Sequence, residues 1–126
     1  MQLSARDIMS TPVVTVWPSM TVTDLAKVLS DKRISGAPVV DHRGKIIGIV
    51  SEADILSRRL GEDTVRAIMT TDVVAVGENE SVQEISLLLS IKRINRVPVL
   101  RDGAVLGIVS RTDIVRAMAG LAPVPQ

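Results

Sequence analysis

The apolar positions of the chain change period several times, and the whole series of changes then recurs. Val13–Val16 is a short β-branched run and reads as a strand; Val73–Val76 repeats it. From Val22 the apolar residues take helical spacing, at Leu25, Ala26, Val28 and Leu29, and Val82, Ile85, Leu88 and Leu89 do the same later in the chain. Thr21-x-x-Asp24 and Ser81-x-x-Glu84 stand before these segments as capping-box patterns that open a helix. Pro38 and Pro98 stop helix propagation and begin the strands Pro38–Asp41 and Pro98–Leu100. "DHRG" and "RDG" then read as tight hairpin turns whose glycine is free to take positive φ. Ile46–Val50 and Val105–Val109 are continuous apolar runs, the pattern of strands buried on both faces, and a second helix follows each, over about 52–60 and 111–119.

These elements form an internal repeat. "RDIMSTPVVTV" (6–16) matches "RAIMTTDVVAV" (66–76), "KRISGAPVV" (32–40) matches "KRINRVPVL" (92–100), and "GKIIGIVSEADIL" (44–56) matches "GAVLGIVSRTDIV" (103–115). The offset is about 60 residues and the order is kept throughout. The repeats fall at 1–62 and 63–120, followed by a tail at 121–126, and "GLAPVPQ" (120–126) predicts extended chain. Gly61–Thr64 reads as a short linker between them. Each copy is a β-α-β-β-α unit too small to bury its own apolar face. The expected fold is therefore α/β (α+β), with two repeats packed as one pseudo-twofold module.

Composition narrows the chemistry. The chain has 126 residues, 46% hydrophobic and 23% charged, a globular balance. A net charge of +1 gives no field to hold nucleic acid or an anionic membrane. Trp17 is the only aromatic residue, so stacking platforms for bases are missing. With no cysteine, disulfides and thiolate chemistry are excluded, and with His42 as the single histidine, placed in a turn, a transition-metal site is not expected. Met9 and Met69 read as core filler. The start "MQLSARDIMS" lacks the basic and apolar regions of a signal peptide, and no apolar run reaches the ~18 residues of a membrane span. A cytoplasmic protein is expected.

I-M-[ST], V-V-x-V, an amphipathic helix, x-P-V-[VL] and G-x-[IV]-[IL]-G-I-V-S-x-x-D-[IV], written twice in order, strongly resemble a tandem pair of cystathionine-β-synthase (CBS) domains over about residues 5–118. The resemblance implies a module that binds adenine nucleotides or related adenosyl ligands in clefts between the two repeats. It also implies pairing of modules into a homodimer and regulation of another protein, here unidentified. The ligand it implies is AMP, ADP or ATP, with S-adenosylmethionine also possible; no obligatory cofactor is expected.

By the same resemblance, the main pocket would use Ser10, Thr11, Val14, Ile34 and Ser35 from the first repeat with Arg96, Ser110, Arg111 and Asp113 from the second. The second pocket would use Thr70, Thr71, Val74, Ile94 and Asn95 with Gly36, Ser51 and Asp54. Each assignment has a plainer alternative. Ser51-x-x-Asp54 and Ser110-x-x-Asp113 are helix-opening capping boxes in their own right. Yet a carboxylate can also accept both hydroxyls of a ribose, and a helix start favours an anion. Val14, Val74, Ile34 and Ile94 could be ordinary core. Arg96 and Arg111 suit phosphate, whereas the equivalent positions hold Gly36 and Glu52; as solvated surface charges they would do nothing. This difference makes the Asp113 pocket the expected phosphate site.

No Ser–His–Asp grouping, G-x-x-x-x-G-K-[ST] or G-x-G-x-x-G occurs, so catalysis is not expected. The leading reading is a regulatory nucleotide-sensing module. The alternative is a structural dimerisation module with vestigial pockets, and saturable nucleotide binding separates the two.

Overall fold

Both long helices open where their sequences direct, but they close well before Pro38 and Pro98, which lie inside strands that begin at Gly36 and Arg96. In the computed structural model, which describes residues 2–122, Val22–Lys32 (α2) and Val82–Lys92 (α5) are helical. The Thr21 and Ser81 hydroxyl oxygens accept from the Asp24 and Glu84 amides at 3.1 Å, capping each first turn. At the other end Arg33 and Arg93 take left-handed backbone, with φ of 54° at each. The Arg33 amide donates to Ser30 and the Ile34 amide to Leu29 at 3.0 Å, and Arg93 and Ile94 repeat the arrangement. This is a Schellman close with arginine in place of the usual glycine. The repeated phrase Lys-Arg-Ile thus ends a helix and turns an isoleucine onto the core.

The remaining elements are Ala5–Ile8 (α1), Gly36–Val40 (β1), Ile46–Ser51 (β2), Glu52–Ser57 (α3), Val65–Ile68 (α4), Val76–Gly77 (β3), Arg96–Arg101 (β4), Ala104–Ser110 (β5) and Arg111–Met118 (α6). β1 pairs antiparallel with β2, and β4 with β5, each pair with a bulge. Asp102 and Gly103 have φ of 51° and 81°, the two positive values a two-residue type I′ hairpin needs. β3 adds to β4 in parallel.

Several expectations need correction. Val13–Val16 forms no strand beyond a single bridge from Val16 to Val39, and only Val76–Gly77 of the second copy pairs as one. Sheet pairing reaches these segments only at Val16 and Val76 among the described residues, so the ladder stops there. The two short helices α1 and α4 precede these segments and are not anticipated. The later helices end at Ser57 and Met118, short of 60 and 119. Ile46–Ser51 and Ala104–Ser110 are only partly buried along their length, not sealed on both faces. The end of the expected tail, residues 123–126, lies outside the described residues.

The chain divides into two compact units that do not follow the repeats. One comprises the described residues of Met1–Val13 and Val74–Gln126; the other is Val14–Val73. Each unit therefore takes the leader of one repeat and the body of the other. In the first unit, Ser10 bridges Ile108 and α1 packs on α6 and β5 around Ile85, Leu89, Val97, Val99 and Val109. In the second, Thr70 bridges Ile49, and Val65 joins Leu25, Leu29, Val39 and Val50.

The two methionines explain two glycines. A Cβ on Gly107 would lie 2.6 Å from Met9 Sδ, and one on Gly48 would lie 2.8 Å from Met69 Sδ. The leader lies directly over the glycine of each Gly-Ile-Val-Ser strand, so Met9 and Met69 are packing residues, as the sequence predicts.

Candidate functional site

The two Ser-x-x-Asp boxes start α3 and α6, each directly after a strand. Ser51 donates its backbone N–H and its hydroxyl to Asp54 Oδ2 at 2.8 and 3.1 Å. Ser110 donates to Asp113 Oδ2 at the same two distances. The serine oxygens accept in return from the Asp54 and Asp113 amides at 3.4 and 3.1 Å. The helix-start amides of Glu52 and Arg111 are held by the Ser35 and Asn95 carbonyls at 2.9 Å. The capping alternative is therefore realised in full at both sites. It fixes each carboxylate by Oδ2, which leaves Oδ1 for another donor.

At Asp113 that donor is present. Ser10 Oγ lies 2.9 Å from Asp113 Oδ1, across more than a hundred residues of sequence, and Asp113 is 5% exposed. At Asp54 the equivalent residue is Thr70, which is exposed and makes no hydrogen bond to the carboxylate among the described residues; Asp54 itself is half-buried.

The first unit thus brings together Ser10, Ser110 and Asp113, with Arg96 opposite Ser110 in the β4–β5 register and Arg111 opening α6. Arg111 is exposed and its Nε donates to the Ile94 carbonyl at 3.3 Å. Thr11 follows Ser10 and is exposed. Expected partners Val14, Ile34 and Ser35 belong to the other unit. In that unit Gly36 stands opposite Ser51, and Asp54, Thr70 and Thr71 belong to the same unit, while Val74, Ile94 and Asn95 belong to the first. Ile34 packs on the core of the second unit, and Val74 and Ile94 on that of the first, so their core role is real.

Gly36 has its own reason to be glycine. A Cβ there would meet the Val50 carbonyl oxygen at 2.9 Å. Close approach of β2 at Gly36 is thus one reason for a glycine there.

Sequence reasoning did not find a second polar group. Glu78, 9% exposed, receives Arg101 Nε at 2.5 Å and Nη2 at 2.7 Å, and pairs with Arg6 as well. The Arg6 amide also donates to the Glu78 carbonyl at 3.0 Å, binding α1 to this point. The available signal was the exchange of Pro18 in the first copy for Glu78 in the second. A cavity of about 250 Å³ opens beside Asp113, lined by Leu3, Asp7, Ile8, Ala117, Gly120 and Leu121. Among the described residues no cluster of acidic or histidine side chains could hold a metal, and no helix is long and apolar enough to cross a membrane.

Known proteins place this architecture. The CBS domain model matches twice, over residues 5–61 and 65–120. The CBS domain pair of protein MJ0100, solved with 5′-methylthioadenosine and S-adenosyl-L-methionine, is 33% identical with a TM-score of 0.86, and the match covers 95% of this chain and 98% of that one. CBSX2 solved with AMP is 28% identical at a TM-score of 0.86, covering 93% and 96%. An L-aspartate semialdehyde sulfurtransferase of Methanocaldococcus jannaschii is 35% identical over 118 residues, 91% of this chain but 23% of that protein. The chain likewise spans less than half the length of three further curated relatives. Two matched repeats over nearly all its length, with solved CBS pairs of the same fold, show that the chain belongs to the CBS domain family as a tandem pair.

Proposed function

We propose that this protein is a regulatory module that binds an adenosyl ligand and does no catalysis of its own. The observation that carries the reading is the bond from Ser10 Oγ to Asp113 Oδ1 at 2.9 Å. It identifies Oδ1 of a serine-anchored aspartate as an acceptor for a hydroxyl, which is the bond that a ribose hydroxyl requires. Asp113 and Asp54 are the ribose acceptors in this scheme. Arg96, opposite Ser110, and Arg111, at the start of α6, are the cationic residues of this scheme that suit a phosphate, against Gly36 and Glu52 at the equivalent positions. MJ0100 and CBSX2, bound to adenosyl compounds, support the ligand class.

Isothermal titration with AMP, ATP and S-adenosylmethionine tests the proposal. Saturable binding is expected. Asp113→Ala and Asp54→Ala should each weaken one binding event about 10- to 100-fold, the span of one or two charge-assisted hydrogen bonds. Absence of binding by all three compounds favours a structural module with vestigial pockets.

The same reading includes a homodimer. Leu87 and Ile91 on α5 and Val115 and Met118 on α6 are 54–83% exposed, and exposed apolar side chains of this kind suit an interface with a second copy. Sedimentation equilibrium should give twice the chain mass; a monomer at all concentrations would remove that part of the proposal.

A further inference from the structure

Asp54 and Asp113 share their serine anchor but not their second donor. The backbone around both is the same: Ser10 exchanges bonds with Ile108 at 2.8 and 3.2 Å, and Thr70 with Ile49 at 2.8 and 2.9 Å. The difference lies in the side chain. Half-buried Ser10 turns its hydroxyl onto Asp113 Oδ1, while exposed Thr70, with the χ1 restriction of a β-branched residue, makes no such bond to Asp54. The carboxylate expected to serve the better site is therefore already occupied.

We propose that Ser10 is a latch on Asp113, so that an adenosyl ligand must displace its hydroxyl to bind there, whereas Asp54 accepts a ligand directly. The inference rests on the adenosyl reading of both aspartates and adds an order to it. Ser10 acts through Asp113 and is a positioning residue. Its release is also a signal. Ser10 follows Met9, which packs over Gly107, and Asp7, which is held by Ser4 at 2.8 and 3.1 Å at the start of α1. A ligand at Asp113 therefore frees one tie between the leader of the first repeat and α6, and a ligand at Asp54 frees none.

The test exchanges the two residues the chain already carries at equivalent places. Titrations with AMP and with S-adenosylmethionine are made on Ser10→Thr in an Asp54→Ala background and on Thr70→Ser in an Asp113→Ala background, with thermal melting to confirm folding. Ser10→Thr should tighten the remaining Asp113-dependent event about 2- to 10-fold, the worth of one ordinary hydrogen bond. Thr70→Ser should weaken the Asp54-dependent event by a similar factor. In the Asp54→Ala protein, ligand should also speed hydrogen exchange at the Ser10 and Ile108 amides. Binding that is unchanged or weakened by Ser10→Thr overturns the latch while leaving the adenosyl reading in place. Loss of every binding signal, with the parent protein also silent, overturns both.

Discussion

The two units are built on one frame and decorated differently. Each has a leader methionine over a strand glycine, a Schellman close through arginine, and a serine-anchored aspartate at a helix start. In the unit of Val74 onward, however, the leader is tied by polar bonds: Ser10 to Asp113, and Arg6 to a Glu78 that Arg101 also grips. In the Val14–Val73 unit, Pro18 stands at the place of Glu78, and the equivalent backbone bond, from Arg66 to the Pro18 carbonyl at 2.9 Å, is kept without a carboxylate to receive side chains. The outer faces differ as well, since Lys27 and Asp31 on α2 correspond to exposed Leu87 and Ile91 on α5. Apolar packing was enough to specify the shared frame twice. The side-chain bonds of Ser10 and Arg6 add further ties to the leader of one unit.

The strongest test of the shared frame lies in its cores. Leu25 and Ile85 occupy equivalent positions and are both fully buried. Leu25→Ala and Ile85→Ala should each cost about 2–5 kcal/mol in urea unfolding followed by circular dichroism. A large inequality between them would show that the two cores are not interchangeable. Next in size is overpacking beneath the leaders. Gly107→Ala and Gly48→Ala should each cost about 1–3 kcal/mol, because Met9 or Met69 must move aside. The effect of Gly48→Ala should be the harder to relieve, since its Cβ would also meet the Thr70 carbonyl at 3.0 Å.

The polar difference predicts a smaller and one-sided effect. Glu78→Gln should destabilise the first unit by about 1–2 kcal/mol, a value reduced because both arginines are half exposed. Hydrogen exchange should quicken at Arg6 and Ala5 and stay unchanged at Arg66. The smallest effect belongs to the turns. Asp41 accepts from the Lys45 and Arg43 amides at 3.0 and 2.8 Å, and the Lys45 bond foremost holds its carboxyl below the ordinary value of 3.8. A carboxyl lowered in the folded state lends stability above its unfolded value and loses it as pH falls through the folded one. Acid unfolding curves of Asp41→Asn and the parent should therefore differ at neutral pH, begin to approach each other near 3.8, and converge as pH falls through the lowered folded value.

The elements of this fold were legible because their causes are local. Capping residues at Thr21 and Ser81 and the Asp102-Gly103 turn act within a few residues of themselves. The repeat was legible for the same reason, since it is a comparison of the chain with itself. The Ser-x-x-Asp boxes were also visible, and their capping role is realised in the geometry at both helix starts. The strands at Val13–Val16 and Val73–Val76 were over-read because β propensity describes a residue's fitness for a sheet, not the presence of a partner strand.

What the sequence determined by itself was thus the period, the caps and turns, and the doubled frame that identifies the family. What tertiary structure decided was which leader joins which body, and with it every contact that crosses that distance: Met9 on Gly107, Ser10 on Asp113 and Arg6 on Glu78. The physical reason is that a residue's local preferences are set by its neighbours in the chain, whereas these bonds join groups that only the packing of distant segments brings within reach. A single hydroxyl carried by Ser10 and withheld by Thr70 makes two nearly identical aspartates unequal.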